Sequence, residues 1–353
     1  MIRIGIVGCN YGRLVHLPAF RRDTRCEVIA LAGSDATRTA ELADAAGIPL
    51  SFGRWEDLVG HPDVDAVSIA APPRLQAPIA LRAIALGKPV FAEKPIAASL
   101  NDARAMAAAA ATSGLATMVD FNFSAVLAFR KVRELLDQNA IGRLRHVAVN
   151  WHVENYGTRM RLKNWKTAGD DGGGALGNFV SHSLHYLEWL CGPIAGLSAR
   201  LSGLPDAPLM ETNAAISLQF QSGAAGQLAM SCASFAGSGH RLEFYGEDGT
   251  LTLINPTPDY MRGFELHLAR RPETALARIE IDDPLDRSFL ADGRIAPVSR
   301  LATAFLDAVV EKRTCTPGFA EGLRVQTLID AARRANNSGC WLDIGPKTTE
   351  TRA

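Results

Sequence analysis

Five residues, Gly8-Cys9-Asn10-Tyr11-Gly12, follow the apolar run Ile2–Val7 directly. A glycine-bearing turn between a strand and a helix offers main-chain N–H groups, and the positive end of a helix, to a phosphate. The full G-x-G-x-x-G pattern is not met. Asn10 stands where the middle glycine belongs, and the last glycine comes one residue early. Asparagine tolerates a left-handed backbone better than most residues, so the turn is expected to use Asn10 in that way. A plain strand–helix turn is the alternative reading. The place of the loop, after the first strand of an alternating series, favours a dinucleotide pyrophosphate, with Gly8, Cys9, Asn10, Tyr11 and Gly12 as its contacts. Pro18 cannot sit in a helix interior without a kink, so regular helix is expected from about Leu17.

The end of the second apolar run reads Ala32-Gly33-Ser34-Asp35-Ala36-Thr37-Arg38. An NAD site usually places an acid there for the adenosine ribose. Gly33 instead leaves room for a 2′-phosphate, which Ser34 and Thr37 could hydrogen-bond and Arg38 could neutralise. The residues favour NADP. Asp35 keeps NAD open as a displaced ribose acid, or serves as a helix cap.

These loops need a scaffold. Apolar runs at Ile2–Val7, Val28–Ala32, Ala66–Ala70, Pro89–Ala92 and Ala116–Asp120 alternate with helical patterns at Ala36–Ala46, Trp55–Val59, Leu75–Leu86 and Leu100–Ser113. That alternation predicts an α/β fold, here a Rossmann doubly wound parallel sheet over residues 1–122. Beyond Asn122 a helix is expected at about Ala125–Gln138. Apolar residues then fall at alternate positions (Val147, Val149, Trp151, Val153), the period of a half-buried strand. Similar runs at Ala215–Phe220, Gly226–Cys232, Leu242–Tyr245 and Leu251–Ile254 follow one another closely. Residues 123–353 are therefore expected to form an α/β substrate-binding and oligomerisation domain with an open, mostly antiparallel sheet. Helices are expected at Asn178–Leu190, Val298–Val310 and Phe319–Asn336.

The 37 basic and 37 acidic residues balance. A neutral chain has no general attraction for nucleic acid or anionic lipid. No run is long and apolar enough to span a bilayer. The six cysteines lie scattered with no CxxC pair, as free thiols of a reducing compartment do. A strand rather than a signal peptide opens the chain, so a cytoplasmic location is expected.

Several short signatures occur in order: the Gly8–Gly12 loop with His16-Leu17-Pro18-Ala19-Phe20, then Ala71-Pro72-Pro73, then Glu93-Lys94-Pro95, then Gly172-Gly173-Gly174-Ala175-Leu176 with His182, then Gly322-Leu323-Arg324-Val325. Together they resemble the glucose–fructose oxidoreductase/inositol dehydrogenase/MocA family over nearly the whole chain. The resemblance implies a nicotinamide cofactor over the Rossmann strand ends and hydride transfer at one carbinol or ketone of a sugar or similar polyol. It implies that Ala71, Pro72 and Pro73 line the cofactor. Glu93 and Lys94 would face nicotinamide and substrate, with a cis bond before Pro95, and His182 would be the catalytic residue of the second domain. It also implies a homodimer or homotetramer paired through the open face of the second sheet.

Hydride chemistry at a carbinol needs a cation for the developing alkoxide and a group to carry the proton. Lys94 supplies an ammonium, and His182 titrates near neutral pH. Their ordinary readings are a solvated loop lysine and a satisfied core histidine. On a helix, Asn178, His182 and His185 share one face as candidate substrate contacts. Family members commonly carry Asp at both flanking positions. Asn178 orients a hydroxyl but accepts no proton at neutral pH. His182, His185 and Glu188 are poorly spaced for one ion, so no metal is expected. Gln76 and Ser124 replace a His and an Arg frequent in the family, which points to a substrate other than inositol or plain glucose. Trp165 is a candidate stacking surface for a sugar ring, or a core aromatic; His152 and Tyr156 lie nearby. Two alternatives stay open: a cofactor-binding sensor or regulator without turnover, and a reductase of a non-sugar carbonyl.

Overall fold

In this computed structural model the described residues are 1–162, 164–167, 171–204, 210–287 and 292–345. The chain divides into two compact units. The first holds Met1–Ala125, Asp170–Gly172 and Leu285–Gln326. The second holds Val126–Gly169, Gly173–Pro284 and Thr327–Ala353. This differs from the single cut expected between residues 122 and 123, because the chain returns to the first unit late. Helix Ile295–Val310 explains the return: Val298, Leu301, Ala302, Phe305 and Leu306 are buried with Ile4, Ile6, Phe20, Phe91 and Met118 in one apolar core. A helix that apolar must bury a face against another element.

The first unit is built on strands β1 (Ile2–Val7), β2 (Cys26–Ala32), β3 (Leu50–Phe52), β4 (Ala66–Ile69), β5 (Val90–Ala92) and β6 (Thr117–Val119). All their pairings are parallel, and the order among the described residues is β3-β2-β1-β4-β5-β6. This is the doubly wound Rossmann order, which reverses between β1 and β4 and opens a crevice beyond their C-terminal ends. The four expected helices are present, at Ala36–Ala45, Trp55–Gly60, Pro73–Ala85 and Leu100–Ser113. Asp35 caps the first, accepting the Arg38 N–H at 3.0 Å. Helix Pro73–Ala85 starts two residues before the expected Leu75, with Pro73 in its first turn, where a missing N–H costs nothing.

The second unit adds β7 (Leu144–His152), β8 (Ile194–Ser202), β9 (Asn213–Phe220), β10 (Ala225–Ser231), β11 (Gly239–Gly246), β12 (Gly249–Asn255), β13 (Glu265–Arg270), β14 (Ala277–Ile279) and β15 (Leu342–Asp343). Among the described residues they form one sheet, β14-β13-β12-β11-β7-β10-β9-β8-β15. Every pair is antiparallel except β7 with β10. One face is apolar and buried, through Val147, Val149, Trp151, Ile216, Leu218 and Leu228. Intervening positions such as Asn150, Ser217 and Gln227 leave the other face open. Helix Leu127–Asp137 covers the buried side, with Phe129 against Tyr186 of helix Ser181–Cys191, ring centroids 5.2 Å apart.

The turn after β1 is set by close approach. Gly8 takes φ of +123°, and a Cβ there would lie 2.3 Å from the carbonyl oxygen of Ala70, which follows β4. Replacing Gly8 with Ala combines that clash with an unfavourable backbone. We expect Gly8→Ala to cost about 3 kcal/mol of unfolding free energy by urea titration, and a cost under ~1 kcal/mol to contradict this account.

Candidate active site

The Gly8–Gly12 loop departs from expectation in one respect. Gly8, not Asn10, is its left-handed residue. The carbonyl of Asn10 accepts the Leu14 N–H at 2.9 Å, so Asn10 already belongs to the helix start. Gly12 begins a π-helical turn, Gly12–His16, which passes into helix Leu17–Phe20. The wider turn accommodates Pro18, and regular helix begins at the expected Leu17. Gly12 is needed as well, since a Cβ would sit 2.7 Å from Ile6. Cys9 lies against Gly33: a Cβ on Gly33 would be 2.5 Å from the Cys9 sulfur and 2.5 Å from the Thr39 hydroxyl. Ser34 and Arg38 are exposed beyond β2.

Ala71 and Pro72 lead into helix Pro73–Ala85. From that helix the Gln76 amide nitrogen donates to two carbonyls, Glu93 at 2.8 Å and Pro95 at 2.7 Å. The segment Glu93-Lys94-Pro95 leaves the end of β5, where Glu93 N–H donates to Ile69 O at 2.9 Å. The Lys94–Pro95 bond is cis, as the resemblance implied. Lys94 is half-buried, and its N–H donates to Glu93 Oε2 at 3.2 Å.

Beneath this segment lies a cluster that sequence reasoning did not assemble. The fully buried His16 places Nδ1 2.8 Å from Ser68 Oγ. Its Nε2 lies 3.2 Å from Glu93 Oε1 and 3.6 Å from Asp120 Oδ2. Asp120 is fully buried at the end of β6, and the Tyr11 hydroxyl donates to it at 3.4 Å. The rings of Tyr11 and Phe91 meet His16 edge-on at 5.3 and 5.1 Å, and the Arg294 guanidinium lies 5.1 Å from the Tyr11 ring centre.

Burial alone would drive protons off His16, but hydrogen bonds to Asp120 and Glu93 outweigh it and lift its pKa to about 9. Glu93 feels burial upward, yet the His16 hydrogen bond and charge hold it below the usual carboxylate range. Asp120 goes the other way: burial and the Glu93 charge push it up to about 7. The three donor atoms lie within 4.8 Å of one another. The imidazolium of His16 and the carboxylate of Glu93 already neutralise one another there, so no metal ion is assigned to it.

In the second unit another π-helical turn, Leu176–Val180, precedes helix Ser181–Cys191. His182 and His185 on that helix are both buried. Asn178 sits in the π turn, and its amide nitrogen donates to Lys166 O at 3.1 Å and Gly174 O at 3.0 Å. It fastens the loop carrying Trp165 and Lys166. Gly173 permits this approach, because a Cβ there would lie 2.3 Å from Trp165 O. Trp165 is half-buried, with Lys166 Nζ 5.7 Å from its ring centre. Glu188 accepts the Ile194 N–H at 2.9 Å, which commits its carboxylate to the chain after the helix. Tyr186 binds Ser183 Oγ and His240 Nε2, each at 2.9 Å, and His240 stacks on Trp151 at 4.2 Å. Burial lowers the His240 pKa to about 3, so this network is neutral. It backs the helix that carries His182.

The signal for His16 and Asp120 was present but unassigned: His16 belonged to a quoted signature and Asp120 ended an apolar run. The expected helix Asn178–Leu190 is divided, with Asn178 in the π-helical turn Leu176–Val180 and His182 and His185 in helix Ser181–Cys191.

Residues 2–121 match the profile of an oxidoreductase family with an NAD-binding Rossmann fold, and residues 129–252 match the GFO/IDH/MocA C-terminal domain. An uncharacterised oxidoreductase of Synechocystis sp. is 33% identical over 97% of this chain and 96% of its own length. Levoglucosan dehydrogenase of Pseudarthrobacter phenanthrenivorans is 23% identical over 89% of this chain and 88% of its own. The solved structure of a levoglucosan dehydrogenase in complex with NADH and levoglucosan superposes with a TM-score of 0.87 at 22% identity, covering 97% of this chain and 99% of that one.

The His16 pKa carries a stability signature. Its charged form is favoured by the fold, so its contribution is complete below the unfolded value of 6.5 and is lost as pH rises through about 9. The stability gap between wild type and His16→Gln is therefore expected to shrink over that window, read by denaturant unfolding at stepped pH. A gap constant across the window would rule out a buried imidazolium.

Proposed function

Since the chain belongs to the GFO/IDH/MocA family of NAD-binding oxidoreductases, we propose that it interconverts a carbinol and a ketone of a sugar or sugar-like polyol, with Lys94 and His182 assisting the proton. The observation that carries this reading is the place of Lys94. It leaves the C-terminal end of β5, on the same sheet edge as the Gly8–Gly12 loop, on a main chain that Gln76 holds from both sides. Levoglucosan dehydrogenase among the relatives supports the sugar class.

The residues present fit a dinucleotide. Gly8 and Gly12 let the loop and the start of the helix pack closely on Ala70 and Ile6 at the strand reversal, where a helix N-terminus can face a phosphate. Gly8, Cys9, Asn10, Tyr11, Gly12, Ala71, Pro72, Pro73, Glu93, Lys94 and Pro95 would hold the cofactor. When bound, the nicotinamide supplies or takes up the hydride. The chain's own part is electrostatic. Lys94 brings an ammonium to the oxygen whose negative charge grows, and His182 holds or releases the proton. Asn178, His185 and Trp165 are read as substrate contacts, with the Asn178 amide also fixing the loop of Trp165. The open face of the second sheet is read as the surface through which subunits pair.

For the cofactor we read NADP as preferred over NAD. Asp35, the one acid near the end of β2, spends its carboxylate on the Arg38 N–H, and Ser34 and Arg38 stay exposed for a 2′-phosphate. Removing the Arg38 charge then costs affinity for NADPH alone. Arg38→Ala is expected to weaken NADPH binding about tenfold by fluorescence titration and to leave NADH binding unchanged. An equal effect on both cofactors, or on neither, would remove the preference.

The proposed reaction is tested with a panel of sugars and polyols, following absorbance of the reduced nicotinamide. Lys94→Ala is expected to lower kcat by on the order of 10²–10⁴ while cofactor binding persists. Unchanged turnover would sink the mechanism. Cofactor binding without turnover on the whole panel would identify a sensor instead.

A further inference from the structure

We infer that His16, Glu93 and Asp120 form a buried proton-sharing triad that positions Lys94 and sets its charge. The inference rests on the reading of Lys94 given above, but its own ground is geometric. His16 and Asp120, which have no place in the proposed contacts with cofactor or substrate, converge with Glu93 behind the lysine, the three coming from separate elements. Ser68 on β4 fixes one ring nitrogen of His16, and the other ring nitrogen faces the carboxylates that end β5 and β6. Glu93 divides its oxygens: Oε1 faces His16, and Oε2 accepts the main-chain N–H of Lys94. Gln76 grips the main chain on either side of the same lysine. Together these bonds fix the start of the Lys94 side chain.

The charge follows from the same contacts. Burying three titratable groups is costly unless they compensate one another. With His16 protonated and Glu93 ionised, the cluster is neutral while Asp120 holds a proton and carries one negative charge after losing it. Asp120 titrates at about 7. A negative cluster favours an ammonium on the neighbouring lysine, and a neutral cluster favours it less. The charge on Lys94 is thereby tied to a proton on Asp120 that the substrate does not touch. Among the described residues, the groups placed against the triad include the hydroxyls of Tyr11 and Ser68, the Lys94 ammonium that acts on Glu93, and, from the segment entering helix Ile295–Val310, the Arg294 guanidinium over the Tyr11 ring. On that helix Arg300 donates to Ala125 O at 3.0 Å. His16, Glu93 and Asp120 act here as positioning residues.

The full-length protein, without cofactor, is read by NMR with ¹⁵N-labelled histidine and ¹³C-labelled lysine, Lys94 being assigned through Lys94→Arg. His16 is expected to hold protons on both ring nitrogens at pH 7. In Asp120→Asn the Lys94 titration is expected to fall by about half a pH unit or more, because the negative charge is gone. Should that variant fail to fold, Tyr11→Phe removes one hydrogen bond to Asp120, and the Asp120 titration sensed by the His16 ring nitrogens is expected to move to higher pH. Singly protonated His16 at pH 7, an unmoved Lys94 titration in the folded variant, or stoichiometric metal bound to the purified protein would each overturn the triad. Turnover retained by Lys94→Ala would instead overturn the catalytic reading, and leaves these titrations readable on their own.

Discussion

A parallel sheet brings every strand's C-terminal end to one edge, and this chain reverses its winding between β1 and β4. The first unit's site depends on how closely those two strand ends approach. The main chain of Gly8 lies so near the Ala70 carbonyl that one methyl group would collide with it. Main-chain bonds hold the approach, with Gly8 N–H donating to Ala32 O at 2.9 Å and Ala70 N–H to Val7 O at 2.8 Å. The same edge carries Pro72-Pro73 after β4, Glu93-Lys94 after β5 and Asp120 after β6. The chemistry is therefore gathered by the sheet, and the loops between need only be short.

Gathering charge at a buried edge forces a settlement among the groups. Burial pushes both acids up and His16 down, and only specific partners reverse it. For His16 and Glu93 the partners win. Glu93 is held on both oxygens and has an ammonium next to it in the chain, so it stays ionised. Asp120 shares His16 at the longer distance and feels the Glu93 charge against it, so burial wins there. The asymmetry between the two carboxylates comes from their surroundings: Glu93 has His16 at the shorter distance and the Lys94 charge in its favour, while Asp120 has His16 farther off and the Glu93 charge against it. It lets one histidine sustain a permanent anion and a titratable acid together.

How much of this was legible in the sequence follows range. The glycine loop, the alternating apolar runs and the helix ends are local patterns, and they place β1, β2, β4, β5 and β6 near their observed positions. The three-residue β3, the edge strands β14 and β15, and β13 beside β14 are too short or too mixed to show a period. The late return of residues 285–326 to the first unit is a matter of packing, which no local pattern encodes. The triad escaped for the same reason: His16 is 77 residues from Glu93, and it meets Asp120 only because β5 and β6 are neighbours. Asn10 was read as the left-handed residue from its propensity, but the helix claimed its carbonyl and left the unusual torsion to Gly8. The contrary case is Asp35, whose capping role was visible as one of two readings and is the one adopted.

The departures from the family pattern acquire a common physical sense. Gln76 stands where the resemblance implies a frequent His, and Asn178 where it implies Asp. Both are uncharged amides, and both spend their N–H donors on main-chain carbonyls: Gln76 on the segment around Lys94, Asn178 on the loop behind Trp165. An amide in this role orients backbone without exchanging protons at neutral pH. A chain that uses amides at these two points concentrates its proton chemistry on fewer groups. On the proposed reading those are Lys94 with the three residues behind it in the first unit, and His182 in the second. The substitutions thus separate two duties that one charged residue could combine, holding the loop and moving the proton.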